Sequence, residues 1–175
     1  IKLDNILLDQ NMNPKLCDFG ISTFLEPGKR IFDTGGTPAY LAPEVIKCEG
    51  NVCEKTDVWS LGVLLYLLSF GQVPFKATDM QILYHKILSG KYQFRNCEDA
   101  SPELIDLITK MLVVDHNKRV SIPEILEHPW LVGHQPNSNN KKLHSPERLT
   151  LFRSIIITFL TGIGFPESYI RRSIE

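Results

Sequence analysis

Thr56-Asp57-Val58-Trp59-Ser60-Leu61-Gly62-Val63-Leu64-Leu65-Tyr66-Leu67-Leu68-Ser69-Phe70 is the stretch whose reading decides the fold. Its apolar run, Val58 to Phe70, spans 13 residues and is interrupted by Ser60, Gly62 and Ser69. A membrane helix needs roughly 20 consecutive apolar residues. The run is therefore read as a helix that is apolar on nearly every face because protein surrounds it on nearly every face.

Downstream the signals are also helical. Thr78-Asp79-Met80-Gln81 reads as a capping box that opens an amphipathic helix through Ile82, Leu83, Ile87 and Leu88, stopped by Gly90. Ser101 before Pro102 and Glu103 opens another, with Leu104, Leu107, Ile108, Met111 and Leu112 at 3/4 spacing. Ser121-Ile122-Pro123-Glu124 is a second capping box, and its short helix ends before Pro129. Upstream the texture changes. Two short apolar stretches, 5–8 and 15–17, flank Asp9-Gln10-Asn11-Met12-Asn13-Pro14, which predicts a turn between two short strands. Residues 18–43 contain Gly and Pro but no period, as in an ordered functional loop. Residues 131–146 are polar and aperiodic, a linker, and 149–160 and 167–174 read as two short helices around Gly162-Ile163-Gly164-Phe165-Pro166.

Composition agrees with a globular protein. The chain has 175 residues, 43% hydrophobic and 22% charged, with 19 Lys+Arg against 20 Asp+Glu. So balanced a chain has no built-in field for nucleic acid or an acidic membrane, and neither is expected as a partner. Cys17, Cys48, Cys53 and Cys97 show no metal-ligand spacing, and four cysteines are too few to staple a fold of this size. Reduced thiols in a cytoplasmic or nuclear protein are the expected state.

Three motifs carry the chemistry: Lys2-x-x-Asn5, Asp18-Phe19-Gly20, and Gly36-Thr37-Pro38-Ala39-Tyr40-Leu41-Ala42-Pro43-Glu44, in that order. A single tripeptide such as Asp-Phe-Gly is weak, but the three together, at workable distances, resemble the eukaryotic protein kinases from Ile1 to about Trp130. The expected fold is then α+β and mainly α: a kinase-like C-lobe with a short strand pair near its N-terminus and no N-lobe. Expected domains are the C-lobe at 1–130, a linker at 131–146 and a C-terminal helical regulatory segment at 147–175. The family's catalytic His-Arg-Asp would end one residue before Ile1. The resemblance therefore leaves the general base, the Gly-rich lid and the phosphate-binding lysine outside this stretch, which alone should not turn over.

Phosphoryl transfer needs triphosphate charge neutralised and the acceptor hydroxyl aimed in line. Hard Mg²⁺ takes oxygen ligands. By resemblance, Asp18 chelates the metal that bridges the phosphates and Asn5 the second metal. Lys2 touches the γ-phosphate of ATP and pairs with Thr37, Cys17 lines the floor of the adenine site, Phe19 packs inside, and Gly20 permits a backbone reversal. The arginine variants that tyrosine kinases carry at the first motif are absent, so the implied acceptor is a protein Ser/Thr hydroxyl. Glu44 and Arg119 resemble a buried ion pair, and Asp57 resembles an aspartate that accepts N–H groups of the catalytic loop. Trp59, Gly62 and the sequence to Phe75 look like the calcium/calmodulin-dependent or AMP-activated (sucrose-non-fermenting-like) branch. Residues 163–170 resemble the turn and second helix of a ubiquitin-associated-like segment, and a plain amphipathic hairpin is the equal alternative. The ubiquitin-associated-like resemblance implies regulation by docking back on the kinase in preference to ubiquitin binding, and a regulatory subunit is a further expected partner. Asp33 occupies the place of an activating threonine, implying activity without phosphorylation there; Thr34 as the switch is the rival. A catalytically inactive interaction module is the alternative function, disfavoured by the retention of Lys2, Asn5 and Asp18 together.

Overall fold

The computed structural model describes residues 1–10, 13–24, 26, 31–32, 35–48, 50, 53–94, 98 and 100–132. The C-terminal helices, Cys97, Asp33, Thr34 and the expected linker from residue 133 on lie outside them; the first two linker positions, Leu131 and Val132, are instead the end of a helix, Pro129–Val132. The architecture is mostly helical, with one short antiparallel strand pair.

The pair comes first. Strand β1 (Ile6–Leu8) runs against β2 (Pro14–Leu16), with Ile6 opposite Leu16, Leu7 opposite Lys15 and Leu8 opposite Pro14. Asp9 closes the turn. Its N–H donates to the Asn13 carbonyl at 3.0 Å, and its carboxylate accepts the Asn13 backbone N–H at 2.8 Å. Pro14 takes the first strand position, where a missing donor costs least.

Helix α1 (Pro43–Lys47) was not foreseen from the sequence. Pro43 supplies a preset φ at its first turn, and Cys48 ends it in a left-handed conformation. Helix α2 (Glu54–Phe70) is the long central one and begins two residues earlier than Thr56. The Cys53 N–H donates to the Thr56 hydroxyl at 3.2 Å, closing a reciprocal cap. Val58, Trp59, Gly62, Val63, Leu64 and Tyr66 are buried, so the helix is surrounded as expected.

Helix α3 (Met80–Ser89) departs from its sequence reading at the start. Its cap is Asp79, whose carboxylate accepts the N–H groups of Gln81 and Ile82 at 2.8 and 3.0 Å. The Thr78–Gln81 box does not form, because a single carboxylate satisfies both donors one residue further on. Leu83 and Ile87 are buried while Ile82 is exposed, and Gly90 ends the helix in the left-handed region. Helix α4 (Pro102–Met111) has Ser101 as its cap, accepting the Leu104 N–H. Helix α5 (Ile122–Leu126) forms the expected Ser121/Glu124 capping box, and α6 (Pro129–Val132) follows.

Val58, Leu107, Met111 and Ile125 form a core shared by α2, α4 and α5, with Leu61, Leu65 and Trp130 against it. Gly62 lets α2 and α4 approach closely: a β-carbon there would stand 2.9 Å from Met111 Cβ and 3.0 Å from Leu112 Cδ2. Below the C-terminal half of α2, Phe75 stacks on Trp59 at 5.6 Å between ring centroids, and Tyr66, Phe70, Tyr92 and Phe94 pack edge and face. His128, buried at the α5–α6 turn, accepts the Trp130 N–H at Nδ1 (3.4 Å). That leaves Nε2 to donate to Asp106 at 3.0 Å, tying α4 to the turn.

The tie between the early and late halves is ionic. Arg119 Nη1 and Nη2 donate to Glu44 Oε1 and Oε2 at 2.7 and 2.9 Å, a bidentate pair with both residues buried. Arg119 also donates to the carbonyls of Lys55 (2.6 Å) and Val113 (2.9 Å), and its guanidinium lies 5.1 Å from the Trp59 ring centroid. The Thr56 hydroxyl donates to Glu44 Oε1 at 3.0 Å. Burial pushes the Glu44 carboxyl up. The Arg119 hydrogen bonds and charge, with the helix backbone and Thr56 helping, overcome that and hold it below its usual 4.5.

Removing either partner strands the other charge, at a cost of about 3–5 kcal/mol. Arg119→Ala should lower the melting temperature by about 10 °C or more; a shift of a degree in a thermal melt would count against the pair. The pH dependence follows from the lowered carboxyl. The pair's contribution is complete above Glu44's unfolded value and is lost as pH falls through its lower folded value. Acid titration of melting temperature should show that loss in the native chain and a shallower one in Glu44→Gln.

Candidate active site

The candidate residues are drawn together by the strand pair. Lys2 is extended and precedes a 3-10 turn, Leu3–Asn5, in which the Asn5 N–H donates to the Lys2 carbonyl at 3.1 Å. β1 leaves directly from Asn5. On the other strand, Cys17 follows β2, and its N–H donates to the Asn5 carbonyl at 2.8 Å. This bond continues the ladder by one rung and brings Asp18 beside Asn5 across 13 residues of sequence. Asn5 Nδ2 donates to Asp18 Oδ2 at 3.4 Å. With its nitrogen turned to Asp18, the Asn5 amide keeps Oδ1 as an acceptor oxygen.

Asp18 stands in the left-handed region, with φ of 62°. Asp is among the few non-glycine residues that tolerate this, because its short carboxylate can bond the local backbone. Here Asp18 Oδ1 accepts the Gly20 N–H at 3.3 Å, an Asx-type turn. The reversal is completed by the Ser22 N–H donating to the Phe19 carbonyl at 3.0 Å. The backbone freedom assigned to Gly20 is therefore misplaced: Gly20 is outside the left-handed region, and Asp18 adopts it instead. Gly20 matters for room, since a β-carbon there would meet Asp18 Oδ1 at 3.3 Å.

The expectation that Phe19 packs inside is also overturned: its side chain is 63% exposed. It belongs to a run of exposed apolar residues with Leu7, Leu8, Leu16 and Ile21, none of which finds a covering layer among the described residues.

Thr37 is half-buried and precedes the 3-10 turn Pro38–Tyr40, to which its side chain gives no cap bond. Among the described residues no hydrogen bond joins Lys2 to Thr37, so the structure pairs Asn5 with Asp18 but leaves those two apart. Asp57 is exposed in the first turn of α2, without a described hydrogen bond to its carboxylate. Cys17, Cys48 and Cys53 are free thiols. No group of three or more His, Cys, Asp or Glu among the described residues could hold a metal by itself.

One positioning residue, Ser60, escaped sequence reasoning. Ser60 on α2 donates its hydroxyl to the Tyr40 carbonyl at 2.9 Å, anchoring the Gly36–Leu41 segment to the central helix. Burial raises the Tyr40 phenol above its ordinary range; backbone hydrogen bonding at Leu3 opposes this and the Asp4 carboxylate adds to it. A serine inside an apolar helix run was the available signal for Ser60, and its partner Tyr40 already stands in the Gly36–Glu44 motif.

Comparison with known proteins places this architecture. A family model described as "Protein kinase domain" matches residues 1–131. The probable serine/threonine-protein kinase CCRP1 of Zea mays is 37% identical over 172 residues, 98% of this chain and 27% of that protein. The phosphorylase b kinase gamma catalytic chain, liver/testis isoform, of Rattus norvegicus is 40% identical over 146 residues, 78% of this chain and 36% of that one. CBL-interacting serine/threonine-protein kinase 5 of Arabidopsis thaliana is 43% identical over 137 residues, covering 75% and 30%. The chain thus spans between a quarter and two fifths of the length of these relatives.

Gly20→Ala tests where the turn's conformational demand lies. Since Gly20 does not need positive φ, the substitution should change stability by less than about 1 kcal/mol while displacing the Asp18 carboxylate by a few tenths of an ångström. A melt lowered by more than that would restore the demand to Gly20.

Proposed function

The chain belongs to the eukaryotic protein kinase family, and on that premise we propose that it is the C-lobe part of a serine/threonine kinase that moves the γ-phosphate of ATP to a protein hydroxyl. The observation that carries the reading is the apposition of the Asn5 amide and the Asp18 carboxylate, fixed by the Cys17–Asn5 backbone bond. Two hard oxygen donors side by side suit Mg²⁺, which binds through one or two protein carboxylates or amides and completes its shell with phosphate and water. The donor set fits. Bound Mg²⁺ and ATP would supply the transferable phosphoryl group and the neutralisation of its charge.

The chain's own contribution is position and charge. Asp18 and Asn5 Oδ1 are the metal-holding oxygens, and the amide nitrogen of Asn5 keeps the Asp18 carboxylate oriented. Lys2 adds a point charge for the γ-phosphate, and Thr37 is its proposed partner. Cys17 lies next to the adenine floor. Gly36 to Leu41, held by Ser60 and Tyr40, forms a shelf for the residue after the acceptor. A site that works mainly by preorganised charge needs such anchoring, because misplacement by an ångström forfeits most of the benefit.

Proposed boundaries are the C-lobe at 1–132, a linker at 133–146 and a regulatory helical segment at 147–175 that docks on the kinase or on a regulatory subunit. Exposed Leu7, Leu8, Leu16, Phe19 and Ile21 support the C-lobe reading: monomeric domains seldom leave such a patch bare, and a further layer would cover it. Among the described residues no helix is long and apolar enough to cross a membrane; a cytoplasmic or nuclear place is proposed.

Asp18→Asn in the full-length protein provides the test. It preserves the left-handed tolerance and the bond to Gly20, and removes the charge. Transfer of phosphate to a serine peptide should fall by about 100-fold or more, as when an electrostatic stabiliser is deleted, with an unchanged melting temperature. Near-normal transfer would overturn the assignment.

A further inference from the structure

A second concave feature lies away from the Asn5–Asp18 site. Between the loop after α2, the end of α3 and residues 91–93 is an open cleft of about 650 Å³. Among the described residues its wall carries Lys76, Lys86 and Lys91 and no acidic side chain. Among the described residues none of the three lysines has an ion-pair partner. The setting makes this concentration informative. Residues 1–132 hold 13 Lys+Arg against 17 Asp+Glu, so three unpaired cations gather in one concavity of an otherwise acidic body.

The cleft is also held in shape. Lys86 Nζ donates to the Lys76 carbonyl at 2.7 Å, bridging α3 to the preceding loop. The Tyr66 hydroxyl donates to the Gln93 carbonyl at 2.6 Å, pinning the far wall to the central helix. Tyr66, Val73, Pro74 and Tyr92 add apolar surface to the same lining.

We propose that this cleft is a docking site for an acidic peptide segment of a partner protein, one with carboxylates flanking an apolar or aromatic residue. Lysines are compact point charges that suit dispersed carboxylates. A planar bidentate fork for a single phosphate group would require arginine, and the described lining has none. The aromatic wall has no use for a bare anion but can hold an apolar side chain. Size agrees, since ligand sites fall in the range of about 300–1,000 Å³. The occupant is not this chain's own C-terminal segment: residues 133–175 carry six Lys/Arg against three Glu, the same sign as the cleft.

The experiment is fluorescence anisotropy on the full-length protein with a labelled Glu-Glu-Leu-Glu-Tyr-Glu peptide, its glutamine counterpart, and a single-stranded RNA oligonucleotide. The acidic peptide should bind saturably and lose affinity with added salt, and the glutamine peptide should not bind. Lys76→Glu with Lys91→Glu should weaken binding at least about 10-fold, the effect of reversing two exposed charge contacts. Lys76→Gln with Lys91→Gln should weaken it less, and circular dichroism checks that both fold; the neutral pair decides if the reversed pair does not. Equal binding by the substituted chains, equal binding of the glutamine peptide, or tighter binding of RNA would each overturn the proposal. Because the readout is binding, its failure is separate from any failure of the phosphotransfer reading.

Discussion

Arg119 is the constraint around which the described fold is arranged. A guanidinium with five donors cannot be buried unless nearly all of them are met, and here they are met from three directions. Glu44 comes from the first helix after the Gly-Thr-Pro segment, the Lys55 carbonyl from the first turn of α2, and the Val113 carbonyl from the end of α4, while Trp59 lies against the guanidinium. Each of these elements could pack approximately by hydrophobic contact alone. The charge makes the approximate arrangement costly and leaves one arrangement. The segment from Gly36 to Glu44 buries Tyr40, Leu41 and Ala42, and this tie and the Ser60–Tyr40 bond fix which of its approximate packings is taken.

Much of the fold was legible because it rests on local rules. Ser101 and Ser121 cap their helices as their spacing predicts, and the Asp9–Pro14 turn sits between two strands. The misses share a cause. At α3, Thr78 and Asp79 are both able caps, and the choice between adjacent candidates depended on which side chain reached two N–H groups at once. Helix α1 has only five residues and no period to read. Phe19 was assigned to the interior by analogy, and exposure is a property of what surrounds a residue, which the residue does not encode.

The candidate site shows the same division. The resemblance named Asn5 and Asp18, and the strand register brings them together. It did not show that Asp18 itself, and not the following glycine, takes the unusual backbone conformation. A carboxylate so placed is aimed by main-chain geometry as much as by its side-chain torsions, so the turn and the metal-holding oxygen are one design. Lys2 and Thr37 remain apart in the same structure. Contact between two flexible side chains on separate segments is the kind of detail that sequence spacing cannot fix.

Trp59 has a consequence of another sort. Its ring is fully buried, stacked on Phe75 and faced by a guanidinium, and its indole N–H is the one buried side-chain donor among the described residues without a partner. An indole that is dry and makes no hydrogen bond relaxes little after excitation, so its emission lies toward the blue. The adjacent positive charge also acts on the excited-state dipole, with a sign set by which end of the indole it stands near. Separation of Arg119 from the ring and entry of water both change the colour of the emitted light. The protein therefore carries its own optical gauge at the junction where its early and late segments meet.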